Sequence, residues 1–300
     1  MAKRKETKTR FYGEGDTGAN SKFGQVIGEA FAEVVLSFIQ EFLAATFPDY
    51  ILLEPDEGKQ LTRLEMFGGT VRQLDTVIVQ HGTKNPVALL ETKWLKDARH
   101  HNDKGAWILQ LREVSKKYPT IRGAVAILAG YWTEGVGVMF QSEAGVKMVW
   151  VASDEEVYAT LQPKLDEYCA EHHLKPIVLD AKQARQRLPS PSHLANFAIQ
   201  LKERAEIIDI AKTWLEFEKT NQDQTLLRGR DLIEKAISEL LKTLPESPQI
   251  AKYELLLQIE TGNVIYQAFE DVEEMIEFAT LHAKDPKAIL DKISPKPPSP

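Results

Sequence analysis

Two consecutive apolar segments with charged residues at set positions constrain this chain most. Residues 70–80 and 86–93 are rich in leucine and β-branched residues, and a short turn-forming segment separates them. This pattern is typical of two strands joined in a hairpin. Asp75 lies in the first strand, and Glu91 and Lys93 lie at the end of the second.

The three charged side chains are predicted to meet at one place. Successive side chains of a strand alternate between its faces, so Glu91 and Lys93 point the same way, and a neighbouring strand can bring Asp75 beside them. Charges among leucines and valines are costly to bury unless they are paired or bound to a metal. Two carboxylates suit Mg²⁺, which binds through one or two carboxylates, several waters and a substrate phosphate.

Such a site suits the hydrolysis of a phosphodiester bond. A divalent cation would polarise a phosphoryl oxygen and lower the pKa of a bound water. Lys93 could orient or deprotonate that water and stabilise the charge that develops at phosphorus. The same residues also occur by chance at a solvated strand end with a Glu–Lys pair, so the neighbouring elements have to decide between the two interpretations.

With these residues the chain resembles the PD-(D/E)XK nuclease superfamily, which has the restriction-endonuclease-like fold. Asp75 matches the first acid, Glu91 the second and Lys93 the lysine, whereas Leu74 stands where the family usually has proline. The resemblance implies an α/β core in which a helix, three antiparallel strands, a helix and a strand follow in order. The central sheet is expected to be mixed, with flanking helices.

The first half of the chain offers the same order of elements. They are predicted as a helix over residues 22–46, strands over 50–55, 71–80 and 86–93, a helix over 105–117 and a strand over 122–129. The family often adds a glutamate from the first helix, which binds a second metal or orients the lysine. Glu29 and Glu33 lie on one helix face. We favour Glu29, because Gly28 would let a strand or phosphate approach closely, and Glu33 stays an alternative.

The distribution of charge indicates where a nucleic acid would bind. The net charge of −7 is not typical of a nucleic-acid binder, yet residues 93–122 contain eight basic and three acidic residues. Basic side chains supply most of the affinity for phosphate backbones. The residues expected to contact DNA are Lys96, Arg99, His100 and Lys104. Each of them could equally be a solvated loop residue, and Gln110 on the following helix is a weaker candidate for the metal site.

The chain is predicted to have four parts. They are a basic, flexible N-terminus (1–20), the nuclease core (21–190), a helical region with a β-hairpin (193–290) and a disordered, proline-rich tail (291–300). The boundary is placed at Pro189 and Pro191, because prolines interrupt regular structure. The C-terminal region could recognise DNA, form a dimer or complete the fold.

The resemblance implies a Mg²⁺-dependent endodeoxyribonuclease, of the type II restriction kind, that cuts double-stranded DNA to 5′-phosphate and 3′-hydroxyl ends. Symmetric cleavage calls for a two-fold protein, so a homodimer is expected. A repair, recombination or phage-defence nuclease of the same fold is an alternative, and so is an inactive binding module. The single cysteine, Cys169, and the lack of a membrane-spanning segment favour a cytoplasmic protein without a membrane partner.

Overall fold

The structure is a computed structural model that describes part of the chain. The described residues are 18–53, 62–66, 69–83, 85–97, 101–133, 145–220, 225–242, 252–258 and 264–284. The chain divides into two compact units, Met1–Lys242 and Thr243–Pro300. Within the described ranges, no helix has both the length and the apolar character needed to cross a bilayer.

The first unit is built on a mixed five-stranded sheet. The first seven strands of this unit are β1 (Tyr50–Leu52), β2 (Thr62–Glu65), β3 (Val71–Leu74), β4 (Thr76–Gln80), β5 (Pro86–Leu95), β6 (Gly123–Gly130) and β7 (Val146–Ser153). The large sheet has the order β1-β4-β5-β6-β7, and β2 and β3 form a separate two-stranded sheet. β1, β4 and β5 pair antiparallel, whereas β5, β6 and β7 pair parallel. The predicted hairpin of residues 70–93 is therefore present as β4 and β5.

Helices cover both faces of the sheet, which confirms the predicted α/β class. They are α1 (Ala19–Thr46), α2 (His101–Leu109), α3 (Leu111–Lys117), α4 (Asp154–Glu171), α5 (Ala181–Ala184), α6 (Pro191–Glu203), α7 (Glu206–Trp214) and α8 (Gly229–Leu241). A small hairpin of β8 (Glu218–Thr220) and β9 (Leu226–Arg228) precedes α8. Alternate residues of β4, β5 and β6 belong to two separate apolar clusters, as alternating strand side chains require. Residues of α2 and α3 belong to one cluster, and those of α1, α4, α6, α7 and α8 to the other.

Helix α1 positions one wall of the site described below. Its apolar residues recur every three or four positions, and Phe23, Ile27, Phe31 and Val35 are all fully buried. Each such side chain contributes roughly 1.5–3 kcal/mol relative to remaining exposed. The opposite face of the helix is therefore free to present polar groups.

The division between the units does not lie at the predicted boundary. Pro191 is the first residue of α6, a position that favours proline because its missing N–H has no partner in a helix. Leu194 and Phe197 of α6 are buried in the same apolar cluster as α1. The proline therefore begins a helix of the first unit, and the chain divides after Lys242 instead. Residues 1–17 of the N-terminus expected to be flexible and the tail expected to be disordered (291–300) lie outside the described residues, whereas residues 19 and 20 begin helix α1.

The second unit contains the predicted hairpin and a helix. Strands β10 (Tyr253–Gln258) and β11 (Val264–Phe269) pair antiparallel, and α9 (Val272–Lys284) follows. Phe269 and Phe278 pack edge to face, with their ring centroids 5.2 Å apart. This aromatic contact joins the helix to the hairpin.

Candidate active site

Asp75 occupies a bend between two strands that belong to different sheets. β3 pairs with β2, whereas β4 pairs with β1 and β5, so the single strand predicted over residues 71–80 is divided at Asp75. Asp75 Oδ2 accepts hydrogen bonds from the Thr92 backbone N–H (2.7 Å) and from Thr92 Oγ1 (2.9 Å). These two bonds fasten the bend to β5.

The structure brings Asp75, Glu91 and Lys93 together. Lys93 Nζ lies 3.0 Å from Asp75 Oδ2 and 2.9 Å from Glu91 Oε1. Glu91 and Lys93 project from the same face of β5, as their spacing predicts. The ammonium group therefore bridges two carboxylates that would otherwise repel each other.

Burial makes the charges of this cluster interact strongly. The side chain of Glu91 is 4% exposed, and that of Lys93 is 21% exposed. Burial, and next the charge of Asp75, raise the pKa of Glu91 despite the opposing charges of Lys93 and Arg72. Burial by itself lowers the pKa of Lys93, but the charges of Glu91 and Asp75 outweigh it and raise the pKa. In this arrangement Lys93 donates to a carboxylate oxygen of each acid.

Arg72 is a member of the cluster that sequence reasoning missed. Its side chain is 1% exposed, and Nη2 lies 3.4 Å from Glu91 Oε1. Nη1 donates a 2.8 Å hydrogen bond to Gln110 Oε1, and the guanidinium carbon lies 4.9 Å from the ring centroid of Trp107. Gln110 thus contacts Arg72 and not the carboxylates. Strand alternation could have found Arg72, since it shares the buried face of β3 with Leu74.

The oxygen atoms of the cluster fit a hard cation such as Mg²⁺. Glu91 Oε2 and Arg72 Nε are buried without a hydrogen-bond partner among the described residues. The hydrogen bonds that Asp75 accepts from Thr92 and Lys93 all end at Oδ2. A buried carboxylate oxygen without a partner is costly, and a cation would remove that cost. The described residues contain no group of three or more His, Cys, Asp or Glu placed to hold a metal, and the two acids of the cluster that could bind one are Asp75 and Glu91.

A cleft of about 740 Å³ opens beside the cluster, between α1 and the end of β5. Asp75 and Lys93 line it, and Glu29, Glu33 and Lys202 line it from the helices. Among the described residues, Glu91 and Arg72 do not line the cleft. The two buried residues therefore lie behind the two that face the open space.

Glu29 faces the cleft but pairs with a residue outside the cluster. Its Oε2 lies 2.6 Å from Lys202 Nζ, and its Oε1 accepts a 2.7 Å hydrogen bond from Gln25. Burial raises the pKa of Glu29, but the hydrogen bonds from Lys202 and Gln25 and the nearby positive charges hold it below its usual value. Among the described residues, a Cβ added at Gly28 would meet nothing within 4 Å, so the close approach of a strand that the sequence suggested is not made by these residues. Since Glu33 lines the same cleft, the geometry does not separate the two candidates.

The four residues expected to contact DNA have different surroundings. Lys104 is exposed on α2 and lines the cleft. Lys96 Nζ donates to the backbone oxygen of Asn20 (2.6 Å) and to its side-chain oxygen (2.5 Å), which ties the end of β5 to the start of α1. Arg99 and His100 lie outside the described residues. Lys202, which sequence reasoning missed, reaches the cleft from α6, and no local pattern connects it with the site.

The fold and the site define an α/β protein with two acids and a lysine clustered beside a cleft. No family model matches the chain, and no curated protein matches its sequence. Among solved structures, the chain is similar to a crystal structure of a protein of unknown function, AF1548, with 10% identity over 61% of this chain and 97% of that chain. The TM-score of 0.29 is too low for that likeness to bear on fold or function.

Proposed function

We propose that this protein is a Mg²⁺-dependent endodeoxyribonuclease with a restriction-endonuclease-like core. One observation carries the proposal. Lys93 Nζ lies within 3.0 Å of a carboxylate oxygen of Asp75 and 2.9 Å of one of Glu91, beside an open cleft. Two acids and an amine from adjacent strands are the groups that the resemblance implies for phosphodiester hydrolysis.

The order of elements supports the proposal. Helix α1 comes first, the antiparallel strands β1, β4 and β5 follow, and α2 and α3 lead to β6, which is parallel to β5. This is the order that the resemblance implies. The β2–β3 hairpin between β1 and β4 and the helices after β7 are additions to it.

Each residue of the cluster has a chemical role in this proposal. Asp75 and Glu91 hold the cation, and Mg²⁺ when bound supplies electrophilic stabilisation of the phosphate and acidifies water. Lys93 keeps the two carboxylates close before substrate binds. Because its ammonium faces the cleft, Lys93 then donates to oxygens that gain negative charge during hydrolysis. Glu29 assists from the opposite wall.

The lysines that line the cleft favour a polyanionic substrate. Lys93, Lys104 and Lys202 line it, and lysine side chains attract phosphate backbones by releasing their counterions. Double-stranded DNA is the proposed substrate. Cleavage of both strands at a symmetric sequence would require two copies of the chain, so we propose a homodimer that acts as a type II restriction enzyme.

Incubation with plasmid and phage DNA tests the function directly. We expect cleavage with Mg²⁺ and none with a chelator, and sequencing should find 5′-phosphate ends at one short sequence. Lys93→Ala should give little or no product in this assay, whereas Lys116→Ala, which removes an exposed lysine paired with Glu113 at 2.8 Å, should retain full activity. A smear of products would indicate a nuclease without sequence specificity and not a restriction enzyme. No cleavage of any nucleic acid in Mg²⁺ or Mn²⁺ would refute the proposal.

A further inference from the structure

We propose that Arg72 is a positioning residue for Glu91. It fixes one carboxylate oxygen, Oε1, and thereby presents the other oxygen, Oε2, to the cation. This inference rests on the proposed function, because it assumes that Glu91 binds a metal. It assigns a role to a residue outside the two acids and the lysine.

The contacts of Arg72 hold its guanidinium in one orientation. Nη1 donates to Gln110 Oε1 at 2.8 Å, and Nη2 lies 3.4 Å from Glu91 Oε1. The Trp107 ring packs against the guanidinium, with 4.9 Å between the guanidinium carbon and the ring centroid. A planar guanidinium with one anchored end and a stacked face cannot rotate freely. Its other end therefore defines where Glu91 Oε1 lies.

Glu91 is held on one oxygen and left open on the other. Oε1 contacts both Arg72 and Lys93, at 3.4 and 2.9 Å. Oε2 is buried without a hydrogen-bond partner among the described residues. A carboxylate that only needed neutralisation would be bonded through both oxygens, as planar guanidinium groups commonly allow. The one-sided arrangement is what a preformed ligand for a cation requires.

Arg72 has to act through Glu91 because it cannot touch the substrate. Its side chain is 1% exposed, and among the described residues it does not line the cleft. Partners that orient a metal ligand without touching the metal commonly change metal affinity by 10- to 100-fold when they are substituted. Arg72 matches this behaviour in its burial, its anchoring and its contact with a proposed ligand.

Calorimetric titration with Mn²⁺ and Mg²⁺ tests the inference without relying on cleavage. Arg72→Lys keeps the charge but lacks the fork that reaches two partners, so metal affinity should fall about 10-fold or more. Gln110→Ala removes only the anchor of Arg72 from an exposed position, and should weaken binding in the same direction. At saturating metal, cleavage by Gln110→Ala should recover most of the wild-type rate, since the defect lies in metal binding.

Arg185→Lys is the matched control. Arg185 pairs with the buried Asp154 at 2.7 Å and lies 4.9 Å from the Tyr131 ring centroid, so it shares a buried carboxylate and a stacked ring with Arg72, although its own side chain is 33% exposed. This variant should bind metal as the wild type does, even where its melting temperature falls. A melting scan of every variant separates lost stability from lost affinity.

Each outcome decides the inference. Wild-type metal affinity in both Gln110→Ala and a folded Arg72→Lys would overturn it, and so would a wild-type protein that binds neither metal. If Arg72→Lys does not fold, the Gln110→Ala titration decides by itself. Metal binding with the expected losses, in a protein that cleaves no nucleic acid, would retain the role of Arg72 and refute only the proposed nuclease function.

Discussion

Two arginine–carboxylate pairs in the first unit are built from similar groups, but the arginine contacts both carboxylate oxygens in only one of them. At the start of α4, Arg185 donates to both oxygens of Asp154, at 2.7 and 3.0 Å. In the cluster, Arg72 reaches only one oxygen of Glu91, at 3.4 Å. Each guanidinium carbon lies 4.9 Å from the centroid of an aromatic ring. A buried carboxylate and a stacked ring are therefore shared, whereas the exposure of the arginine (1% for Arg72 and 33% for Arg185) and the number of satisfied oxygens differ.

This difference is the observation on which the proposed role of Arg72 rests. A bidentate pair satisfies the carboxylate within the protein. The pair at Glu91 leaves one buried oxygen and one guanidinium nitrogen without partners among the described residues, although a second cation, Lys93, lies close by. Unsatisfied buried polar groups are uncommon in folded proteins, and a bound ion is one way to complete them.

The largest expected effect separates the two pairs by activity. Lys93→Ala should reduce the single-turnover rate of DNA cleavage by about 10²- to 10³-fold, because a donor to the developing charge is lost. Arg185→Lys, in the other pair, should change that rate by less than a few fold. Cleavage by Lys93→Ala at the wild-type rate would show that the lysine has no part in the chemistry. The two arginine–carboxylate pairs would then not differ in their effect on activity.

Metal binding should separate the pairs by its effect on stability. A ligand that binds only the folded protein, at about 100 times its dissociation constant, stabilises by about 2.7 kcal/mol. Mg²⁺ should therefore raise the melting temperature of the wild type and of Asp154→Asn, and a chelator should reverse the shift. Glu91→Gln should lose most of the shift. An undiminished shift in Glu91→Gln would place any bound cation elsewhere.

Without metal, neutralising the two carboxylates should affect stability differently. Asp154→Asn breaks a bidentate charged pair and should destabilise the protein by about 2 kcal/mol, which is less than for a fully buried pair because Arg185 is 33% exposed. Burial and Asp75 raise the pKa of Glu91, so the fold disfavours its charged form, and Glu91→Gln should lower the melting temperature less than Asp154→Asn does. Equal losses in both variants would show that the two pairs are equally structural.

The sequence alone was sufficient for the features that depend on local alternation. The β4–β5 hairpin follows from two apolar runs and the turn between them, and the shared face of Glu91 and Lys93 follows from their spacing. The fold class followed from the order of helices and strands. The bend at Asp75 was missed, because residues 71–80 form one continuous apolar pattern although they pair in two sheets.

The features that depend on distant contacts could not be predicted. Lys202 meets Glu29 only because α6 lies along α1, which no short pattern encodes. Strand alternation could have placed Arg72 on the buried face of β3, but its contacts with Gln110 and Trp107, which are far from it in the sequence, could not be predicted. Pro191 was misleading for a related reason, since a proline at a helix start and a proline at a domain boundary look alike until tertiary packing is known.

The smallest expected effect concerns Glu29 and Lys202 on the cleft wall. Their side chains are 44% and 55% exposed, and exposed ion pairs contribute about 0.5 kcal/mol. Glu29→Gln should therefore barely change the melting temperature at pH 7. Although burial raises its pKa, hydrogen bonds and positive charges lower the pKa of Glu29 overall. The small contribution of Glu29 to stability should be present above the pKa that it has in the unfolded chain. It should vanish as the pH falls through its lower pKa in the folded protein.

A cleavage assay of Glu29→Gln and Glu33→Gln then sharpens the comparison. Both residues line the cleft, and Glu29 also pairs with Lys202. If Glu29 assists catalysis, its variant should cleave at least about 10-fold more slowly while its stability is unchanged, because positioned acids and bases contribute 10²- to 10⁴-fold when fully engaged. Glu33→Gln should then match the wild type. The reverse result would transfer the role to Glu33, and two fully active variants would confine the chemistry to the cluster on β4 and β5.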